Sequence, residues 1–195
     1  MAQNLTGKRQ ETVAQYVSDM LALEGHIAQA LEQQVKQTAD QPEISGAIKG
    51  FLATTNRHVE RLNQYLEKFG DEKGLADKAK QGIATLFGIA AGAIDQVRTH
   101  PISKNLRDDY TAGSLAAVSY TMLRTTALAC GDTETAAFAQ TQQHETVAML
   151  QWIARTIPTV VVKELEAEND ISVVPGAASQ VTGDAGLKGF YGAAS

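Results

Sequence analysis

The sequence predicts an all-α protein of long antiparallel helices, and three observations lead to this fold class. The chain has 195 residues and only four prolines, so few positions interrupt a helix. Ala, Leu, Gln and Glu are abundant in its central segments, and all four are good helix formers. Apolar residues also recur at the 4-3 spacing that keeps them on one face of a helix. A chain of this length can bury roughly 70% of its unfolded surface in one core, which favours a single domain.

The first two helices are predicted from their end signals. One helix should cover about residues 8–38, and the polar run at 38–41 ends it. Pro42 suits the first turn of the next helix, which should end at Phe69 because Gly70 is a good C-cap. The connection between them is short, so we expect these two helices to be antiparallel neighbours.

Three further helical segments follow. A helix is predicted over about residues 73–99, with a centre rich in small residues, and another over about 102–130 after Pro101. Asp132 or Thr133 should cap the last long helix. Pro158 should bend or end that helix, with a kinked continuation to about residue 168 as the alternative.

The composition changes after the predicted helical domain, residues 1–168. The C-terminal segment, residues 169–195, is rich in Gly, Ala, Ser and Val and shows no helical period. We therefore expect an extended tail, with docking on a neighbouring subunit as its candidate role.

Charge and composition exclude several classes of function. The net charge is −5 and the basic residues are scattered, which argues against binding to nucleic acid. The single cysteine, Cys130, excludes an internal disulfide and fits a reducing cytoplasm. The N-terminus has no apolar signal core, and the longest uncharged stretches, 81–94 and 110–123, are shorter than the roughly 18–20 residues that span a bilayer. We expect a cytoplasmic protein without a membrane span.

Two polar residues interrupt stripes that should otherwise face the core. On the first helix, the 4-3 stripe is Val13, Val17, Met20, Glu24, Ile27 and Leu31. On the second helix, it is Ile44, Ile48, Phe51, Thr55, His58, Leu62, Tyr65 and Phe69. A buried carboxylate and a buried imidazole cost several kcal/mol when unpaired, so Glu24 and His58 require a partner, a proton or a metal.

The spacing around His58 resembles that of a di-metal carboxylate site in a four-helix bundle. Such sites draw a Glu-x-x-His pair from each of two helices, because residues three apart project to the same side. This chain instead has Thr55-x-x-His58 and Thr141-x-x-His144, and it lacks any Asp or Glu between residues 110 and 131. Threonine is neutral and a poor metal ligand.

The candidate metal ligands are therefore few: Glu24, His58, His144 and Glu145, with Glu60 as a further candidate. They are a thin set for two metal ions and an adequate one for a single ion. The alternatives are a buried hydrogen-bonded pair of Glu24 with His58, and an orientation of Glu145 toward solvent. Motifs for phosphate-binding loops, serine hydrolases, C-x-x-C and H-E-x-x-H sites are absent from the sequence.

Three stretches resemble the bacterial ferritin-like proteins of the YciE/YciF type. They are residues 16–24, residues 55–62 with the following Phe69-Gly70, and residues 131–137 followed by Glu145. The resemblance covers about residues 10–157. It implies a ferritin-like antiparallel four-helix bundle with an extra helix in the long connection. It also implies dimerisation, a di-iron-type site and an association with bacterial stress responses.

Carried over by position, the resemblance places Glu24, His58 and Glu145 at ligand-bearing positions. A carboxylate is expected about one turn before His58, where residues 54 and 55 are both threonine. Further carboxylates are expected around residues 113–116, where none occurs. The resemblance therefore implies a degenerate metal site.

These observations lead to one expected function and two alternatives. The expected function is that of a non-enzymatic ferritin-like bundle with a decayed di-metal site, acting as a structural, stress-associated or self-assembling homo-oligomer. It would have no catalytic residue and no bound cofactor. The first alternative is a ferroxidase- or peroxidase-like protein that binds one or two ions of Fe, Mn or Zn at Glu24, His58, His144 and Glu145, as a mononuclear or di-iron-type site. The second treats the tail as a docking peptide carried by the bundle.

Overall fold

The computed structural model describes residues 7–69, 101–168 and 171–184, and its regular structure there is entirely helical. The helices are α1 (Lys8–Gln37), α2 (Pro42–Phe69), α3 (Pro101–Cys130), α4 (Thr133–Glu166) and the short α5 (Ala177–Thr182). The all-α prediction is confirmed. The predicted helix at 73–99 lies outside the described residues, as do the predicted C-cap Gly70 and residues 185–195 of the tail. None of the described helices has an apolar window long enough to cross a membrane.

The four long helices pack in a cycle. Helix α1 contacts α2 and α3, α3 contacts α4, and α4 contacts α2. Gln34 pairs with Asp109 while Glu24 pairs with Tyr120, so α1 and α3 run in opposite directions. The contacts of His58 with Glu145 and of Phe51 with Trp152 show that α2 and α4 are antiparallel. The contacts of Ala117 with Gln143 and of Gly113 with Leu150 show the same for α3 and α4. It follows that α2 and α3 are parallel to each other.

The core lies where the apolar stripes of the long helices meet. Every residue of the predicted α1 stripe is buried, as are five residues of the α2 stripe, among them Thr55 and His58. Helix α3 contributes a buried stripe at the same 4-3 spacing: Ile102, Leu106, Asp109, Gly113, Ala116, Tyr120, Leu123 and Ala127. Gly113 allows a close approach of α4, because a Cβ there would lie 2.9 Å from the ends of Met149 and Leu150.

Helix α4 and the tail differ from the sequence expectations in two places. The helix continues through Pro158 to Glu166, so the continuing helix and not the early end is observed. Residues 177–182 form α5, which packs against α4 of its own chain, so the expectation of a tail without helix is wrong there. A helix of six residues is unstable alone. It forms here through a tertiary contact that no sequence period reveals.

The start of α4 has a complete side-chain cap. Asp132 accepts a hydrogen bond from the backbone N–H of Thr135 at 2.9 Å, and the Thr135 hydroxyl donates to the same carboxylate. The turn before it is made by Gly131, whose φ of 84° favours glycine.

Removing this cap should destabilise the protein modestly. We expect Asp132→Ala to lower the free energy of unfolding by about 1 kcal/mol, because a helix N-terminal N–H loses its acceptor. Urea denaturation followed by circular dichroism measures the change. Asp132→Asn is the matched control, since asparagine caps equally well; an equal loss in both variants would show that the cap bond is not the cause.

A second buried polar pair joins α1 to α3. The Gln34 side-chain amide donates to Asp109 Oδ1 at 2.7 Å, and both residues are buried. Asp109 Oδ2 is also buried and has no hydrogen-bond partner among the described residues. Burial raises the pKa of Asp109 to about 7; the bond from Gln34 lowers it in part and the charge of Asp108 raises it slightly. The carboxyl group of Asp109 therefore titrates near neutral pH.

Candidate functional site

The buried centre of the protein is a hydrogen-bonded pair between α1 and α2. His58 Nδ1 lies 3.1 Å from Glu24 Oε1, and each residue is 2% exposed. The hydroxyl of Tyr120 on α3 donates to the same Glu24 oxygen at 2.7 Å. Burial, together with the charge of Glu24, raises the pKa of Tyr120 well above its ordinary value. Tyr120 therefore stays protonated and acts as a donor.

The second ring nitrogen of His58 points toward α4. His58 Nε2 lies 2.7 Å from Glu145 Oε2, and Arg57 donates to the other oxygen of Glu145 at 3.0 Å. The Glu145 side chain is 32% exposed. Partial burial alone would raise the pKa of Glu145, but the hydrogen bonds and charge interactions with His58 and Arg57 outweigh burial and lower it. We call Tyr120, Glu24, His58, Glu145 and Arg57 the polar chain.

The polar chain has a definite proton requirement. Each of the two contacts between the ring of His58 and a carboxylate needs one proton between nitrogen and oxygen. A neutral imidazole carries only one N–H, so it satisfies one contact and leaves the other as a repulsion of lone pairs. The centre must therefore hold two protons, either both on an imidazolium or one of them on a carboxyl group.

A small cavity of about 40 Å³ lies beside the polar chain. A water molecule needs at least ~10–15 Å³ of such space, so the cavity has room for a few waters or a single ion. Besides three members of the polar chain, its walls are Ile27, Phe51, Thr54, Thr55, Ala116, Thr146 and Met149. Thr54, Thr55 and Ala116 occupy the positions at which the resemblance implied additional carboxylates.

The structure brings together three of the four predicted ligands. Glu24, His58 and Glu145 are in contact, whereas His144 is exposed. The buried side of α4 includes Gln142 and Thr146, and a residue two positions from each is rotated about 200° away from both. His144 therefore points outward. The repeated Thr-x-x-His pattern does not mark equivalent positions, because Thr141 is exposed as well, and so is Glu60.

Three polar residues near the centre are not among the candidate ligands that the sequence indicates: Tyr120, Arg57 and Gln142. Gln142 is fully buried, and neither atom of its amide has a hydrogen-bond partner in the described part of the chain. It stands three positions before Glu145, the same spacing as Thr55 to His58. That spacing was the one sequence signal that could have identified it.

The residues present do not fit a pair of metal ions. Within residues 7–69, 101–168 and 171–184, no group of three or more His, Cys, Asp or Glu side chains has the arrangement that holds a metal. The reason is geometric: the ring of His58 stands between the two carboxylates and contacts one with each nitrogen. A nitrogen that binds a metal offers its lone pair and cannot also donate to a carboxylate, so metal binding would require one of these contacts to break.

Comparison with known proteins places the chain in a family. A family model described as a domain of unknown function (DUF892) matches residues 8–166, from the first residue of α1 to the last residue of α4. Searches of curated proteins and of solved structures found no match. Since the matched range covers most of the 195 residues, the chain belongs to the family described as domain of unknown function DUF892.

Proposed function

We propose that this protein is a non-enzymatic, ferritin-like helical bundle of the YciE/YciF type whose di-metal site has decayed into a hydrogen-bonded polar centre. Its role would be structural and stress-associated, as a self-assembling protein of the cytoplasm. The observation that carries the proposal is the position of His58, whose two ring nitrogens both face carboxylates instead of a shared metal position.

The directions of the helices support the ferritin-like part of the proposal. Helices α2 and α3 follow each other among the described helices and are parallel, whereas consecutive helices of a simple up-and-down bundle are antiparallel. Parallel middle helices are typical of ferritin-like bundles.

The walls of the cavity support the decay of the metal site. A di-metal carboxylate site needs bridging carboxylates, yet Thr55 and Ala116 stand beside the cavity where longer acidic side chains would reach into it. Replacement of glutamate by threonine or alanine removes ligands and leaves space. A cavity next to a surviving Glu24–His58 pair is the expected result of such replacements.

The retained polar pair suits a structural role. Buried polar groups are satisfied in only one register of the helices, so they disfavour alternative packings of a core that is otherwise apolar. Glu24 is hydrogen-bonded to residues of both α2 and α3, and His58 is hydrogen-bonded to residues of both α1 and α4. The polar chain therefore links all four long helices at one level.

Iron chemistry provides the direct test. The purified protein, mixed anaerobically with two equivalents of Fe(II) and then exposed to oxygen, should oxidise iron no faster than buffer alone. Elemental analysis should find Fe, Mn and Zn well below one ion per chain. Rapid oxidation with an uptake of two irons would contradict the proposal.

A gain-of-function variant serves as the matched control. Thr55→Glu combined with Ala116→Glu adds two carboxylates to the cavity wall beside Glu24 and His58. We expect Mn²⁺ to raise the melting temperature of this variant and to leave that of the wild type unchanged, because only the variant has enough oxygen ligands. An equal increase in both proteins would show that the native site already binds metal.

The alternative is a ferroxidase- or peroxidase-like protein with a single metal ion. The observation that favours it is the room for one ion beside Glu24, His58 and Glu145. This alternative predicts a bound metal in the purified protein, and it predicts that Glu24→Ala lowers metal content and activity together. Loss of both in that variant would support the alternative; absence of metal from the wild type would exclude it.

A further inference from the structure

A second cavity lies in the groove between α2 and α4, apart from the polar chain. Its volume is about 270 Å³, and its walls are Arg61, Gln64, Tyr65, Phe138 and Thr141. Residues three or four positions apart share one face of a helix, so the first three project together from α2 and the last two from α4. The contact of Tyr65 with Phe138 holds the two faces against each other. We call these five residues the groove site.

One wall of the groove site is formed by aromatic rings. The ring centroids of Tyr65 and Phe138 are 4.3 Å apart, with 34° between the ring planes, and both residues are half-buried. Burial, together with the charges of Glu134 and Asp132, raises the pKa of Tyr65 to about 12, so the phenol stays neutral at physiological pH. The wall is therefore uncharged and offers contact area for an apolar or aromatic group.

The other wall carries hydrogen-bond donors without acceptors. Arg61 is half-buried, and it makes no hydrogen bond or ion pair within the described part of the chain. Arg57, one turn earlier on α2, is in contrast paired with Glu145 at 3.0 Å. The side chain of Gln64, which also lines the cavity, makes no hydrogen bond with any described residue either. A guanidinium has five N–H groups in one plane, an arrangement that matches the two oxygens of a carboxylate.

We propose that the groove site binds a small aromatic carboxylate, with the carboxylate on Arg61 and the ring against Tyr65 and Phe138. The volume lies just below the roughly 300–1,000 Å³ of most small-molecule sites, which suits a ligand with a single ring. This inference goes beyond the proposed function. No residue of the groove site belongs to the polar chain or to the wall of its cavity, so the metal assays and the binding assays can fail separately.

The charges around the groove site favour a carboxylate over a phosphate group. One guanidinium balances the single charge of a carboxylate, whereas a phosphate monoester carries up to two. A second negative charge would be opposed by Glu134, which lies next to the Tyr65 hydroxyl, and by the net charge of −5.

Isothermal titration calorimetry of the full chain with benzoate tests the proposal. The wild type should bind one benzoate with a dissociation constant of about 1 mM or lower, and Arg61→Gln should weaken binding at least about 10-fold, because the carboxylate loses its counter-charge. Lys49→Gln is the matched control. It makes the same change of charge at an exposed position of α2, twelve residues or about 18 Å from Arg61, and should leave binding unchanged.

A second variant tests the cavity without changing its charge. Thr141 is exposed at the edge of the groove site, so Thr141→Trp should leave the fold intact, as circular dichroism can verify, and fill the cavity. We expect this variant to lose benzoate binding although it retains Arg61. Its result therefore decides the matter even if Arg61→Gln is unstable.

Two further probes separate the parts of the ligand. Acetate has the carboxylate without the ring, and benzamide has the ring without the charge, so each should bind at least about 10-fold more weakly than benzoate. Absence of saturable benzoate binding to the wild type would overturn the proposal. It would also be overturned by equal weakening in Arg61→Gln and Lys49→Gln, by unchanged binding in Thr141→Trp, or by benzamide or acetate binding as tightly as benzoate.

Discussion

Replacing His58 with leucine is expected to lower the free energy of unfolding by about 3–5 kcal/mol. The substitution leaves the Glu24 carboxylate in a buried position, with the hydroxyl of Tyr120 as its remaining partner within the polar chain. The cost of the lost contact is smaller at Glu145, because this side chain is partly exposed and keeps its ion pair with Arg57. The loss should therefore come mainly from the unpaired charge of Glu24 and only secondarily from the lost imidazole.

A double-mutant cycle separates these contributions. Glu24→Leu combined with His58→Leu removes both buried polar groups, so it should cost clearly less than the sum of the two single substitutions. Urea denaturation of the wild type, both single variants and the double variant gives the coupling free energy. His144→Leu is the control for loss of a histidine at an exposed position and should change stability by less than about 0.5 kcal/mol. Additive effects of the two leucine substitutions would show that Glu24 and His58 do not act as a pair.

The second large effect is expected at Asp109, whose pKa is raised to about 7 from an ordinary value of 3.8. In the folded state the carboxyl group keeps its proton up to about pH 7, whereas in the unfolded state it releases the proton near pH 4. Between these values the folded state binds more protons, so an increase in pH favours unfolding. At 1.36 kcal/mol per pKa unit, the protein should lose up to about 4 kcal/mol of stability from pH 4 to pH 7 through this group.

Asp109→Asn should remove this dependence. The asparagine is neutral at every pH, so the stability of the variant relative to the wild type should increase between pH 4 and pH 7 and level off above pH 8. Its buried N–H costs about 1–3 kcal/mol if it finds no acceptor, but that cost does not vary with pH. The quantity to follow is therefore the difference in the free energy of unfolding between the variant and the wild type. Urea denaturation at a series of pH values shows how this difference changes with pH.

Asp108→Asn is the matched control, because the Asp108 side chain is 42% exposed and pairs with Arg107. The charge of Asp108 is the smallest of the influences on the pKa of Asp109, so this variant should keep most of the pH dependence of the wild type. If Asp109→Asn also followed the wild type, the raised pKa of Asp109 and its protonation in the folded state would both be excluded.

The two buried polar pairs perform different structural tasks. The pair of Gln34 and Asp109 joins two helices near one end, and it leaves a carboxylate oxygen without a partner in the described chain. The polar chain around His58 joins four helices at one level, and each of its two carboxyl groups takes part in two hydrogen bonds. For this reason we expect Asp109→Asn to stabilise the protein above neutral pH and His58→Leu to destabilise it.

The sequence by itself determined the helical class, most helix ends and the inward position of Glu24 and His58. Helix ends are local: Pro42 fixes its own backbone torsion, and the Asp132 side chain caps a backbone N–H three residues along the chain. The 4-3 spacing follows from the pitch of a single helix. Only the tertiary structure decided that Glu145 and not His144 joins the centre. Neighbouring positions on a helix differ by about 100°, and the packing of α4 against α2 and α3 selects which of them turns inward. The same holds for Tyr120 and Asp109, whose partners lie 96 and 75 residues away along the chain. No local pattern encodes a hydrogen bond between residues so far apart.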